Sequence, residues 1–328
     1  MSPEEFWTNR RVLVTGCTGF LGSWLTRVLV ARGASVVGLV RDELRPPLWL
    51  GTDTAQRIVI VNGELEDYAL LERVVNEYEI ESVFHLAAQA IVGVANTNPI
   101  STFETNIRGT WNLLEACRRT PGVRRIVVAS SDKAYGQHER LPYTEDMPLR
   151  GRFPYDVSKG CADLISQAYF ATYKLPVCIT RCGNLFGGGD LNYSRIVPGT
   201  IQSVLLGQRP IIRSNGKFLR DYIYVREAVQ AYLLVAQKMD DPTVLGEAFN
   251  FGCDQPLGVL VLVERILALM GHTGLPPEIQ DRAQAEIPNQ YLSSAKARKV
   301  LGWSTSWTLD QALGETIDWY RTHYAAKV

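Results

Sequence analysis

The chain has 328 residues, 46% of them hydrophobic and 21% charged, with 34 basic side chains balanced by 34 acidic ones. That length supplies ample material for a core and accommodates one large or two ordinary domains. A formal net charge of zero gives no electrostatic reason for nucleic acid or an anionic membrane as partner, yet leaves room for a local basic pocket that holds a phosphate.

The first ten residues are polar and acidic before they are basic, unlike the charged-then-apolar pattern of a signal peptide. No run of about 18 apolar residues occurs, so no membrane span is expected. Cys17, Cys117, Cys161, Cys178, Cys182 and Cys253 are scattered without a C-x-x-C pair, which reads as free thiols and no metal site. A reducing, cytoplasmic setting fits these features.

In chain order, residues 11–14 read as a strand, followed by glycines and a helix over 23–32. Strands are expected at 35–40 and 57–61, a helix at 67–78, a strand at 82–87, a helix at 102–119 and a strand at 125–129. A helix over 155–173 and a strand at 177–180 complete an alternation that calls for an α/β fold, a doubly wound parallel sheet covered on both faces. Beyond Arg181 the texture changes: Gly187-Gly-Gly189, Pro198, Pro210, Asn215-Gly216 and Pro276-Pro277 punctuate shorter segments, with helices at 227–239, 260–270 and 309–323. The expected organisation is a nucleotide-binding domain over 1–181 plus about 218–252. A smaller α/β substrate lobe takes 182–217 and 253–328.

Three motifs carry chemistry. Gly16-x-x-Gly19-x-x-Gly22 follows a strand and opens a helix, a setting in which backbone N–H groups face a pyrophosphate. A ligand-free tight turn competes with that reading. Ligands of such sheets lie beyond the carboxyl ends of the strands. There Glu64 and Leu65, and Leu86, Ala87 and Ala88, are placed to flank adenine and ribose, or simply to pack. At the end of the second strand, Arg41 tilts the cofactor from NAD+ towards NADP+ by matching a 2′-phosphate, with an ordinary solvated arginine as the competing reading.

The second motif is Tyr155-Asp-Val-Ser-Lys159, which puts a tyrosine and a lysine on one helix face, one turn apart. An ammonium beside the phenol favours the tyrosinate and makes a base usable near neutral pH. The third is Ser130-Ser131-Asp132-Lys133, closing a strand. Ser131 can hydrogen-bond a substrate hydroxyl, and Asp132 can protonate a departing one or merely cap a turn. Lys133 is a base if held neutral, and otherwise a solvated turn residue. Arg220, set among aromatics in Phe218-Leu-Arg-Asp-Tyr-Ile-Tyr224, is ion-paired or phosphate-bound, since a buried unpaired charge is costly. Asn184 and Arg195 are further candidates for a nucleotide sugar, with loop structure as the alternative.

Together these motifs resemble the extended short-chain dehydrogenase/reductase superfamily, and within it the nucleotide-sugar epimerases and dehydratases, from about residue 10 to the carboxyl end. Thr18-Gly-Phe-Leu-Gly-Ser-Trp-Leu25, His85-Leu-Ala-Ala-Gln89, Ser131-Asp-Lys133, Ser158-Lys-Gly-Cys-Ala162 and Gly183-Asn-x-x-Gly-Gly-Gly-Asp190 are similar to the 4,6-dehydratases of the CDP-glucose type. The resemblance implies a Rossmann-type domain that binds NAD(P)+ through Gly16, Thr18, Gly19, Phe20, Leu21 and Gly22. Gln89, Ser131, Asn184, Arg195 and Arg220 would contact the sugar nucleotide. It further implies that Tyr155 takes the O4 proton, that Lys159 lowers its pKa and holds the nicotinamide ribose, and that Asp132 expels the C6 hydroxyl. Lys133 occupies the place of the base that removes the C5 proton.

A homodimer through the Tyr–Lys helix and the helix over 102–119 is implied as well. The chain departs from the CDP-glucose group at Leu219-Arg-Asp-Tyr-Ile-Tyr-Val225, resembles the NADP-using GDP-mannose dehydratases at Val40-Arg41, and has Asn289-Gln290-Tyr291 where several dTDP-type enzymes carry arginines for the pyrophosphate, so the nucleotide stays open. The leading expectation is an NDP-hexose 4,6-dehydratase. A 4-epimerase with the same Tyr–Lys pair stands second, and a catalytically silent cofactor-binding protein is the third reading.

Overall fold

The computed structural model describes residues 5–42, 52–282 and 286–325. Seven strands form the main sheet: β1 (Arg11–Thr15), β2 (Ser35–Val40), β3 (Val59–Asn62), β4 (Ser82–His85), β5 (Arg125–Ala129), β6 (Val177–Cys182) and β7 (Ala248–Phe251). Every pairing is parallel and the order is β7-β6-β5-β4-β1-β2-β3, so the chain reverses its direction of winding at β1. That reversal opens a crevice beyond the carboxyl ends of β1 and β4.

Period-two alternation distributes the apolar side chains. In β1, Val12 and Val14 join the core under helices α1 (Phe20–Ala31) and α6 (Val225–Lys238), while Leu13 faces the opposite core. That second core is roofed by α2 (Tyr68–Glu77), α3 (Gly109–Arg119) and α4 (Pro154–Tyr173). A third core gathers Ile201 of α5 (Ile196–Leu205), Leu262 and Ile266 of α7 (Val259–Met270), and Leu313 and Ile317 of α8 (Leu309–Ala325). Short strand pairs frame it: Asn184–Phe186 with Tyr222–Tyr224, Ile211–Ile212 with Glu278–Ile279, and Leu219–Arg220 between Leu257–Gly258 and Asn289–Gln290.

Local chemistry sets the helix ends. Gly19 caps α1, which therefore starts three residues before the expected Ser23. Pro154 begins α4 at a position where its missing N–H costs nothing, and Lys174 closes it in the left-handed region at φ 55°. The expected helix over 102–119 starts earlier and is irregular. Asn98 caps the turn Pro99–Phe103 by accepting from Ser101 N–H at 3.2 Å, a π turn spans Glu104–Arg108, and α3 then continues.

Two buried polar assemblies tie these layers together. Arg181 of β6 binds Asp163 of α4 through two parallel hydrogen bonds of 2.8 and 2.9 Å. It also donates to the Tyr135 hydroxyl, which in turn donates to Asn250 of β7. His85 bridges the hydroxyls of Thr15 and Thr110 at 2.8 and 3.0 Å, and burial, with Lys159 adding its charge, holds the imidazole down at about 3.

Removing one partner of a buried ion pair strands the other. Asp163→Ala is expected to lower unfolding free energy by about 3–5 kcal/mol, while Asp163→Leu combined with Arg181→Met costs much less. Urea midpoints of the two variants measure the difference. For His85, the unfolded chain binds the proton that the folded chain refuses, so its contribution is complete above about 6.5 and is lost as pH falls towards about 3. Asp156 and Asp221, whose carboxyls are raised to about 6, oppose it by favouring the folded state at lower pH. The difference between wild type and His85→Gln therefore isolates the effect: the variant's Tm should fall less steeply through that acidic window.

Candidate active site

A cleft of about 1030 Å³ runs between the carboxyl edge of the main sheet and the third core, within the size range of ligand and cofactor sites. Its floor at one end is the turn from β1 into α1. Gly16 adopts φ +74°, and a Cβ there would lie 2.8 Å from the Ala87 nitrogen. A Cβ on Gly22 would lie 2.0 Å from the Gly16 carbonyl oxygen, so α1 packs on the turn only because that atom is missing. The N-terminus of α1 carries no side-chain cap, which leaves its N–H groups directed at the cleft where an anion is favoured. Gly19, Phe20, Leu21, Leu86, Ala87 and Ala88 line this end as expected.

The middle of the cleft is made by the chain leaving β5 and by the first turns of α4. Lys159 is buried and donates to the Ala129 carbonyl at 2.8 Å, and burial brings its ammonium down to about 8 against the pull of Asp163. Burial is also the main influence on Tyr155, pushing the phenol up to about 12, with the charge of Arg195 and a hydrogen bond from Ser131 acting the other way. The i, i+4 spacing puts both side chains on one face, and the Lys159 ammonium gives one of its donors to the Ala129 carbonyl.

Asp132 is 2% exposed, and burial raises its carboxyl above the usual range against Lys133, Ser131 and Arg220. Its Oδ1 accepts from the Ser131 hydroxyl at 3.0 Å, whereas Oδ2 is buried without a partner. The buried Ser130 hydroxyl in the same wall is also unpartnered. Both residues line the cleft. Lys133 lines the cleft and approaches Gln290 Oε1 at 3.5 Å.

The opposite wall comes from the third core. Asn184, Arg195 and Arg220 all reach the cleft. Arg220 is buried, donating to the carbonyls of Leu219 and Pro288 at 2.9 Å each and to Glu286 at 3.4 Å; Arg195 pairs with Asp190 at 3.0 Å. Arg213 and Arg282 join them. Neither lies in a recognisable motif; the pairing of Ile211–Ile212 with Glu278–Ile279, continued by the Arg282 N–H donating to the Arg213 carbonyl at 2.6 Å, brings them together.

Several expected contacts fall elsewhere. The Gln89 side chain closes a local turn with Ile91, accepting from its N–H and donating to its carbonyl, and does not line the cleft. Leu65 is buried in the second core, Thr18 lies within the glycine turn, and Glu64 is exposed; none of the three lines the cleft either. Arg41 is exposed and bound by the adjacent Asp42 carboxylate at 2.8 Å. Two participants escaped the sequence reading. Asn106, in the π turn, bonds both backbone groups of Gln89 and the Ser158 hydroxyl, while Ser158 donates to the Tyr155 carbonyl at 2.7 Å. Asp156, buried beside Tyr155, also lines the cleft.

The glycine turn and the open helix end suit the phosphates of a dinucleotide. Comparison with known proteins agrees. The chain is 32% identical to a CDP-glucose 4,6-dehydratase of Salmonella typhimurium over 98% of this chain and 93% of that protein. The crystal structure of dTDP-glucose 4,6-dehydratase from Bacillus anthracis in complex with NAD matches with a TM-score of 0.86 at 27% identity, covering 96% of this chain and 98% of that one. UDP-glucose 4-epimerase of Thermotoga maritima with UDP-glucose matches with a TM-score of 0.87 at 26% identity, covering 96% and 99%. The sequence profile of the NAD dependent epimerase/dehydratase family matches residues 12–252, and the chain belongs to that family.

Proposed function

We propose that the protein is an NDP-hexose 4,6-dehydratase that converts a nucleotide-diphosphate hexose into its 4-keto-6-deoxy form. The observation that carries this reading is Asp132: a buried carboxyl with a free oxygen, in the same wall as Tyr155 and Ser131. An epimerase must remove and return hydrogen at one carbon and needs no acid to expel a hydroxyl. A dehydratase does need one, and burial raises the Asp132 carboxyl, which favours its protonated form. The likeness to dehydratases of CDP- and dTDP-glucose supports the same choice, whereas the likeness to UDP-glucose 4-epimerase keeps epimerisation as the second reading.

NAD(P)+ is the cofactor that the glycine turn suits, held there by Gly16, Gly19 and Gly22 and at the ribose by Lys159. Once bound it supplies a hydride acceptor for C4 and later a donor for C6. NAD+ is the favoured form, because a 2′-phosphate at Arg41 would compete with Asp42 for the guanidinium and the related dehydratase structures contain NAD. Tyr155 takes the O4 proton as its tyrosinate, the form favoured by the charge of Arg195 and the hydrogen bond from Ser131; Ser131 orients the hydroxyl, and Asp132 protonates the leaving C6 hydroxyl. Arg220 and Arg195, with Arg213 and Arg282, neutralise the diphosphate.

Residues 1–181 with the segment returning through β7 form the cofactor domain, and the third core forms the substrate lobe. Dimerisation through α4 and the 99–119 helix is supported by the exposed Ile100, Trp111, Leu164 and Tyr173. The free cysteines suit a reducing compartment.

Incubation with UDP-, dTDP-, CDP- and GDP-hexoses and either cofactor, read by mass spectrometry, is expected to show loss of one water from one nucleotide sugar. An unchanged mass with altered chromatographic mobility would instead establish the epimerase. In Tyr155→Phe, oxidation at C4 should disappear; unchanged turnover removes Tyr155 from the assignment.

A further inference from the structure

Elimination across C5 and C6 needs a group with a free electron pair to receive the C5 proton. An ammonium has none, and the sequence reading gave that place to Lys133. The structure puts a second carboxyl in the same cleft. Asp156 follows Tyr155 on the first turn of α4, is 3% exposed, and lines the cleft together with Asp132, Lys133 and Tyr155. Its orientation is set locally: as the third residue of the helix it accepts from the N–H of the capping residue Phe153, the reciprocal half of a capping box. Helix capping alone does not require burial, since a capping carboxylate is normally a solvated surface group.

Resting on the dehydratase reading, we propose that Asp156 is the base that removes the C5 proton and that Lys133 is its counter-cation. The C5–H electron pair becomes the C5–C6 double bond, the C6–O bond breaks, and the departing oxygen takes the proton of Asp132. Asp156 takes the C5 proton, exchanges it with solvent, and delivers a proton to C5 when hydride reaches C6. Asp132 recovers its proton from solvent.

Charged groups face Asp156 from several elements. Lys133 draws a proton off Asp156, while Asp132 pushes one on, and Tyr143 and Tyr155 lie within reach of its charge. Burial prevails and raises Asp156 to about 6, near the pH at which a general base works best. Asp132 feels the same burial with an unpartnered oxygen. Lys133 also lies 3.5 Å from Gln290 Oε1.

The test uses the whole protein with the nucleotide sugar it dehydrates, in deuterated water. Three signals are followed: reduced-nicotinamide absorbance in a single turnover for C4 oxidation, deuterium at C5, and loss of water. Asp156→Asn keeps an acceptor for Phe153 N–H. It should retain C4 oxidation while C5 exchange and dehydration fall about 100-fold or more. Asp156→Glu should restore measurable exchange. Asp132→Asn should keep C5 exchange and stop water loss. K133M should lose only about tenfold and shift the acid limb of the rate profile to higher pH, because removing the cation raises its partner carboxyl.

Full exchange in Asp156→Asn, or abolition of exchange in K133M, overturns the assignment. So does simultaneous loss of C4 oxidation in Asp156→Asn with a native melting transition. A wild-type protein that oxidises C4 but neither exchanges C5 nor loses water refutes the dehydratase reading itself, and this assignment with it.

Discussion

The contact between the Lys159 ammonium and the Ala129 carbonyl holds the site in register. It joins the first turns of α4 to the last residue of β5, so the segment that follows the strand, Ser130 to Lys133, must face the segment that opens the helix, Tyr155 and Asp156. One turn further along α4, the Asp163–Arg181 pair repeats the junction with β6. A helix pinned at two successive turns to two neighbouring strands has little freedom to rotate, and rotation is what would separate the phenol from Ser131.

Burial, more than any single ion pair, sets the acid–base character of the cleft. Tyr155, Asp132 and Asp156 are raised by it, and Lys159 is lowered. All four shifts favour the neutral form of the group concerned, as expected where water has been excluded before a substrate arrives. The opposing charges come from both sides of the cleft, Lys133 from the sheet and Arg195 and Arg220 from the third core. The electrostatics of the pocket are therefore complete only when the two walls face one another.

The parallel sheet and its order of elements were legible because strand and helix periods differ and because the glycine turn follows a strand directly. Ser131, Asp132, Tyr155 and Lys159 were legible because they sit in short motifs, and the structure does bring them to one cleft. Gln89 was misplaced because a motif does not say whether a side chain will satisfy its own turn first; here Ile91 claims it. Arg213 and Arg282 were invisible because their convergence depends on pairing between segments more than sixty residues apart. Asp156 was in plain view between two noted residues, and burial, which only tertiary packing decides, is what distinguishes it from an ordinary capping carboxylate. Asn106 was hidden by an assumption of regular helix over its whole neighbourhood.

That irregular turn has a consequence for how the chain tolerates change. A π turn holds one residue more than the α-helical path it interrupts. Glu104–Arg108 therefore behaves as a counted spacer: the identity of most of its side chains matters less than their number. In a chain one residue shorter there, which keeps the composition of a good helix and the same apolar face in α3, Asn106 is expected to turn away from Gln89 and Ser158, its partners in the intact chain. The backbone that follows β4 and the carbonyl of Tyr155 then lose their common anchor. Fold and site respond differently to the same deletion, because one depends on pattern and the other on arithmetic.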